Sequence, residues 1–243
     1  MTVTKMHPEM KALEVHARLV QVYGKRRLRR RPDAIAELVS TILSQNTNDG
    51  LRDRAFQSLR RRFPTWEGVR DAPEREVAEA IQIAGLSKQK APAIQRALRR
   101  IHAERGEWGL DFLRAMTPLE AKRWLMATKG VGPKTAAIVL LFALEMPAFP
   151  VDTHIHRVSK RLGLIPANAS REKAHDLLEA MLPPSAYVSA HLNLIRHGRE
   201  ACQARKPCCE VCVLRDLCES YRTQVRRATC PTGRRRAVTA PPV

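Results

Sequence analysis

Apolar residues recur every three or four positions along most of the chain, the period of a helix with one buried face. Behind Pro32 and Asp33, Ile35, Leu38, Val39, Ile42 and Leu43 fall on one stripe of AIAELVSTILSQ. The turn residues Asn48-Asp49-Gly50 break that stripe. LRDRAFQSLRRRF (51–63) predicts a second amphipathic helix, stopped by Pro64. EREVAEAIQIA (74–84) predicts a third, ended by Gly85, and QKAPAIQRALRRIHAERG (89–106) a fourth, ended by Gly106. Thr117-Pro118-Leu119-Glu120 reads as a capping box with proline in the first helical position, opening a helix to about Lys129. From Pro133, KTAAIVLLFALE is apolar nearly all round, which predicts a buried central helix. Strand alternation is nearly absent, so the expected fold class is all-α.

The join between the last two helices is Gly130-Val131-Gly132, a tight αα-hairpin. Its glycines permit positive φ and a close backbone approach, and Val131 can turn inward to pin the helices. Free N–H groups here, with the positive end of the next helix, make a seat for phosphate. Lys134 at the mouth is unusual, because the macrodipole disfavours a cation there. It reads either as a phosphate grip or as an amine made nucleophilic by its surroundings. Asp152, in VDTHI, reads either as an N-cap or as a carboxylate that stabilises positive charge or orients water. His154 and His156 stand two apart and do not share a helix face, so they are not read as a metal pair.

Composition narrows the partners. The 243 residues, 44% hydrophobic, suffice for one large or two small cores. No apolar run reaches the roughly 20 residues of a membrane helix, and MTVTKMHPEM has no signal-peptide core. A cytoplasmic, prokaryotic location without a membrane partner is the expectation. Forty-three Lys and Arg against 24 Asp and Glu give a formal charge of +19, which favours a polyanion such as nucleic acid. KRRLRRR (25–31) and RRR (234–236) read as basic arms, and the Arg-, Pro- and Thr-rich C-terminus as disordered.

None of the six cysteines precedes position 202, and five lie between Cys202 and Cys218. Disulfide staples would be scattered, so the cluster points to metal. Cys202, Cys209, Cys212 and Cys218 give C-x6-C-x2-C-x5-C. One CxxC with long flanking arms fits an iron–sulfur cluster better than zinc. Cys208 and Cys230 are left as non-ligands. Arg199, Arg205, Lys206 and Arg215 surround this loop and would let it hold phosphate.

From about Pro32 to Cys218 the chain resembles the endonuclease III family of helix-hairpin-helix DNA glycosylases. The resemblance rests on ILSQNT (42–47), GLSKQKA (85–91), GVGPKTA (130–136), VDTHIHRV (151–158), HGREAC (197–202) and the cysteine spacing, which looks like that family's [4Fe–4S] signature. It implies two lobes: a six-helix barrel at 33–146, with the hairpin at about 119–144, and an iron–sulfur lobe of 1–32 and 147–222, leaving 223–243 as a basic tail. It implies a monomer acting on double-stranded DNA with damaged bases or abasic sites, flipping the nucleotide out. Lys134 would attack the sugar C1′ as a Schiff-base nucleophile, Asp152 would be its carboxylate partner, and β-elimination would nick the strand. Gln45 would fill the gap left by the flipped base, and Leu86 would wedge into the opposite strand. Gly130, Val131, Gly132, Thr135, Lys90, Arg199, Arg205 and Lys206 would contact DNA, and oxidised pyrimidines such as thymine glycol would be the substrates. Departures from the family are Thr128-Lys129 for Leu-Pro, Asn46-Thr47-Asn48 for Ala-Thr-Asp, and His156 for Phe. Mismatch adenine glycosylases look similar but lack a lysine at this place. A DNA-binding module of the same fold with an idle Lys134–Asp152 pair is the alternative of another class.

Overall fold

The computed structural model describes residues 6–28 and 31–223. Within them all regular structure is helical, and no helix is long and apolar enough to cross a membrane. Helix α1 spans Pro8–Tyr23. Next come α2 (Ala34–Leu43), α3 (Asp49–Arg62), α4 (Trp66–Asp71), α5 (Glu74–Ala80) and α6 (Ser87–Arg105). Then follow α7 (Pro118–Met126), α8 (Pro133–Ile138), α9 (Thr153–Leu162), α10 (Arg171–Met181), α11 (Tyr187–Glu200) and α12 (Glu219–Thr223). The basic tail and Cys230 lie outside the described residues.

Short polar side chains start these helices. Asp33 accepts from Ala36 N at 2.7 Å, Asn48 from Leu51 N at 2.9 Å, and Thr65 from Gly68 N at 3.1 Å. Thr117 and Glu120 complete the capping box in both directions. Each such cap stabilises its helix by about 1 kcal/mol.

The described residues divide into two compact units, one of residues 31–148 and one of 6–28 with 149–223. In the first, the predicted α2 stripe is fully buried, with Ile35, Leu38, Val39, Ile42 and Leu43 at most 2% exposed. It meets Ala91, Ile94, Leu98 and Ile101 of α6 and Ala136, Ala137, Val139 and Leu140 after the hairpin. Helix α6 also ties down its neighbours by polar bonds. The buried Gln95 amide donates to Val69 O and Ala72 O (3.0 and 2.7 Å), closing the end of α4.

Several predicted boundaries move, and Asp49 and Gly50, expected in a turn, form the start of α3 behind the Asn48 cap. The third helix ends at Ala80, and a 3-10 turn (Gln82–Ala84) carries the chain to Gly85. The capping-box helix ends at Met126, not Lys129. The apolar helix after Pro133 is buried as expected but widens into a π turn at Val139–Ala143, where Leu144 N bonds Val139 O five residues back at 3.1 Å. Glu145 then turns back with φ 51°.

In the other unit α1 packs on α11, and Phe149 is fully buried edge-on to Tyr187, with ring centroids 5.4 Å apart. Residues 25–28 of the predicted basic arm are not wholly loose: Arg26 N donates to Ser189 Oγ (3.2 Å), and just before the arm Asn193 Nδ2 donates to Gly24 O (3.0 Å).

Candidate functional site

Within residues 31–148, three turns gather around α6. The hairpin turn is 127–132. Gly130 adopts φ 104°, and a Cβ there would lie 2.6 Å from Ala93 Cβ on α6. Gly132, by contrast, has φ −92° and nothing within 4 Å of a Cβ, so only one of the two glycines is required by geometry. Gly130→Ala is expected to destabilise this unit by about 1–3 kcal/mol, and Gly132→Ala by much less. Thermal unfolding of the two variants checks this. Arg96 reaches Lys129 O (3.4 Å), and Arg100 reaches Thr128 Oγ1 (3.3 Å), so the polar Thr128-Lys129 pair is held by α6. Val131 turns inward as expected (5% exposed), and Thr135 is buried too. What the hairpin offers outward is therefore backbone rather than those two side chains. Lys134 is the second residue of α8 and is half-buried.

The second turn, 44–47, carries Gln45, which is exposed and donates its amide to Gly130 O at 3.1 Å. The third, 85–86, carries Leu86, 46% exposed and in a left-handed conformation with φ 51°. An exposed leucine held at positive φ costs of order 1 kcal/mol or more, and such strain concentrates at functional positions. Gln45, Leu86 and the hairpin thus belong to one set of turns. Lys90 does not join them as a DNA contact. Its side chain turns inward, the residue is 2% exposed, and Nζ donates to Leu43 O (2.8 Å) and Ala84 O (2.9 Å). The aliphatic stem lets the charge satisfy helix-end carbonyls instead of meeting solvent.

In the other unit, the backbone leading to Asp152 is fixed by buried histidines. His175 Nδ1 donates to Phe149 O and His191 Nδ1 to Pro150 O, each at 2.9 Å. Phe149 N in turn donates to the Glu179 carboxylate (2.9 Å). Asp152 is half-buried and caps α9, its Oδ1 accepting from Ile155 N at 2.7 Å. His154 and His156 diverge, as their spacing predicts. His154 Nδ1 accepts from Arg157 (3.1 Å), while His156 Nε2 donates to Ala169 O (2.9 Å).

Cys202, Cys209, Cys212 and Cys218 are all half-buried free thiols in one loop after α11. Cys202 N and Cys208 N bond back to His197 O (2.8 Å) and Ala201 O (2.9 Å). Burial pushes the Cys209, Cys212 and Cys218 thiols up, Cys212 to about 11, and the other thiols of the set add to the effect. The four are therefore neighbours. Yet no group of three or more His, Cys, Asp or Glu among the described residues is placed to hold a single ion.

Sequence reasoning missed two groups beside these sulfurs. Arg161 Nη1 lies 3.4 Å from Cys202 Sγ while holding Gln203 O and Ala204 O (2.7 and 2.8 Å). His197, 2% exposed, places Nε2 3.6 Å from Cys212 Sγ and Nδ1 3.4 Å from Tyr23 Oη. Burial pushes its pKa down to about 4, so the ring is neutral. HGREAC shows a histidine five residues before a cysteine, but not that the ring meets a different one. Arg199, Arg205 and Lys206 are exposed around the loop.

Comparison with known proteins adds to this geometry. A family described as the HhH-GPD superfamily base excision DNA repair protein matches residues 39–184. A putative DNA glycosylase of Arabidopsis thaliana is 38% identical over 169 residues, 70% of this chain, which spans 58% of that relative's length. Endonuclease III of Sulfolobus acidocaldarius is 32% identical over 196 residues, 80% of this chain and 85% of that one. Among solved structures, a trapped endonuclease III–DNA covalent intermediate is similar with a TM-score of 0.76 at 26% identity, covering 91% of this chain and 100% of that one. The chain belongs to the HhH-GPD superfamily of base excision repair DNA glycosylases and, within it, to the endonuclease III family.

Proposed function

We propose that this glycosylase is bifunctional, removing oxidised pyrimidines from double-stranded DNA and then cutting the strand as an abasic-site lyase. The observation that carries the reading is Lys134 in the first turn of α8, directly after the hairpin. A solved relative of the same fold was trapped as a covalent intermediate with DNA, which calls for a nucleophile on the protein. The neutral Lys134 amine adds to C1′ while the base leaves with the bonding electrons and takes up a proton. The proton shed by the amine passes to a general base, the part that the endonuclease III resemblance gives to the Asp152 carboxylate. The sugar ring opens to the iminium as O4′ takes up that proton, a base then removes a C2′ proton while the C3′–O bond breaks and the 3′ phosphate leaves with its electrons, and water hydrolyses the imine to free the amine. Gln45 fills the space of the extruded nucleotide, Leu86 wedges into the opposite strand, and the hairpin amides with Arg199, Arg205 and Lys206 hold backbone phosphates.

Incubating the chain with an abasic-site duplex and borohydride should yield one covalent adduct of protein plus DNA. Binding without any adduct would favour the module with an idle lysine. A panel of oxidised-base duplexes reports the lesion preference, and excision confined to purines would overturn the pyrimidine assignment.

Cys202, Cys209, Cys212 and Cys218 are proposed to hold a [4Fe–4S] cluster. When bound, it would cross-link the loop and keep its arginines and lysines in fixed places. With the cluster bound, Arg161 Nη1, 3.4 Å from Cys202 Sγ, would offset charge on that sulfur, and the neutral His197 ring would lie beside Cys212 Sγ. The purified protein should contain iron and acid-labile sulfide in equal amounts. Cys212→Ala should lose most of both and unfold at lower temperature. Zinc without sulfide in the native chain would overturn the assignment.

A further inference from the structure

Lys90 is a buried cation that the proposed chemistry does not use. Its ammonium joins two chain ends of the same kind. Leu43 closes α2, and its carbonyl lacks the amide four residues on, because Thr47 N bonds Ser44 O instead (3.3 Å). Ala84 closes the 3-10 turn before Gly85. Both carbonyls sit at the negative ends of helices, where a lysine is favoured. Each is followed by a turn that carries a left-handed residue: Asn46 has φ 53° and Leu86 φ 51°. Those turns carry exposed Gln45 and Leu86, and Gln45 is tethered onward to Gly130 O. Gln95 on the same helix clamps α4 in the same manner, but no exposed strained turn follows there.

We propose that Lys90 is a positioning residue that fixes the 44–47 and 85–86 turns at one separation, so that Gln45 and Leu86 enter the duplex together. This rests on the reading that those two side chains probe DNA. Its consequence is specific. Extruding a paired damaged base requires both insertions at once, whereas a preformed abasic site costs far less to extrude. Loss of the clamp should weaken base excision and spare strand cleavage at an abasic site.

Lys90→Met keeps the aliphatic stem and removes both hydrogen bonds. Lys90→Gln, the second variant, keeps an amide donor. Each is assayed with the full chain on a thymine glycol duplex and on the same duplex with a preformed abasic site, in single turnover. The expected result for Met is at least a tenfold fall in excision with less than a threefold change at the abasic site, and a smaller fall for Gln. In a double-mutant cycle, Leu86→Ala should cost less in the Lys90→Met background than alone. An equal fall on both substrates, additivity with Leu86→Ala, or loss of the helical circular dichroism of both variants would overturn the proposal, since Lys90 would then serve the fold alone. If the native chain cleaves the abasic duplex but excises no thymine glycol, the substrate reading fails, and the Lys90 proposal falls with it.

Discussion

Lys134→Ala should leave no borohydride-trapped adduct and slow strand cleavage at an abasic site by on the order of 10³-fold or more, the scale of losing a covalent nucleophile. The variant should still fold. Position 134 is half-buried in the first turn of α8, and alanine is a better helix former than lysine there. Removing a cation from a helix N-terminus also relieves an unfavourable dipole interaction. Thermal unfolding should therefore remain cooperative, with the helical circular dichroism of the native chain, while chemistry disappears. Affinity for abasic DNA should fall only modestly, because many backbone contacts share the binding. Lys134→Arg sharpens the test. It keeps the charge for phosphate, but a guanidinium stays protonated and is no nucleophile at neutral pH. Were Lys134 only a phosphate grip, arginine would retain cleavage and alanine would lose binding. On the nucleophile reading both variants lose the adduct, and only alanine loses any binding.

Much of this arrangement is visible along the chain because it is made by local rules. The α2 stripe, the caps at Asp33, Thr117 and Asp152, and the hairpin all follow from period, capping oxygens and glycine. The cysteine spacing is local too. What stayed hidden depends on partners without side-chain identity or on distant segments. Lys90 answers two backbone carbonyls, one of them 47 residues away, and no sequence pattern distinguishes such an inward lysine from one reaching phosphate. Gly130 and Gly132 look equivalent until Ala93 on α6 is seen to crowd only the first. Arg161 stands 41 residues from the sulfur it touches. The π turn at Val139–Ala143 lies in a segment apolar on every side, where periodicity gives no cue to where the helix loosens.

Asp152 is the position where a structural and a chemical role must be separated, and asparagine separates them. The carboxylate caps α9 through a 2.7 Å bond from Ile155 N, and asparagine caps as well as aspartate does. Asp152→Asn should therefore keep the stability of the native chain while losing the negative charge. On the proposed reading it slows both base excision and strand cleavage at least ~100-fold, the contribution of a positioned acid–base group. Asp152→Ala loses the cap as well, adding about 1 kcal/mol of destabilisation without a comparable further fall in rate. A residue that only capped would give the reverse order: asparagine near native in every assay, alanine slightly less stable and still active. The backbone around it is held independently by His175 and His191, so neither substitution should displace the segment, and a change in rate can be assigned to the carboxylate itself.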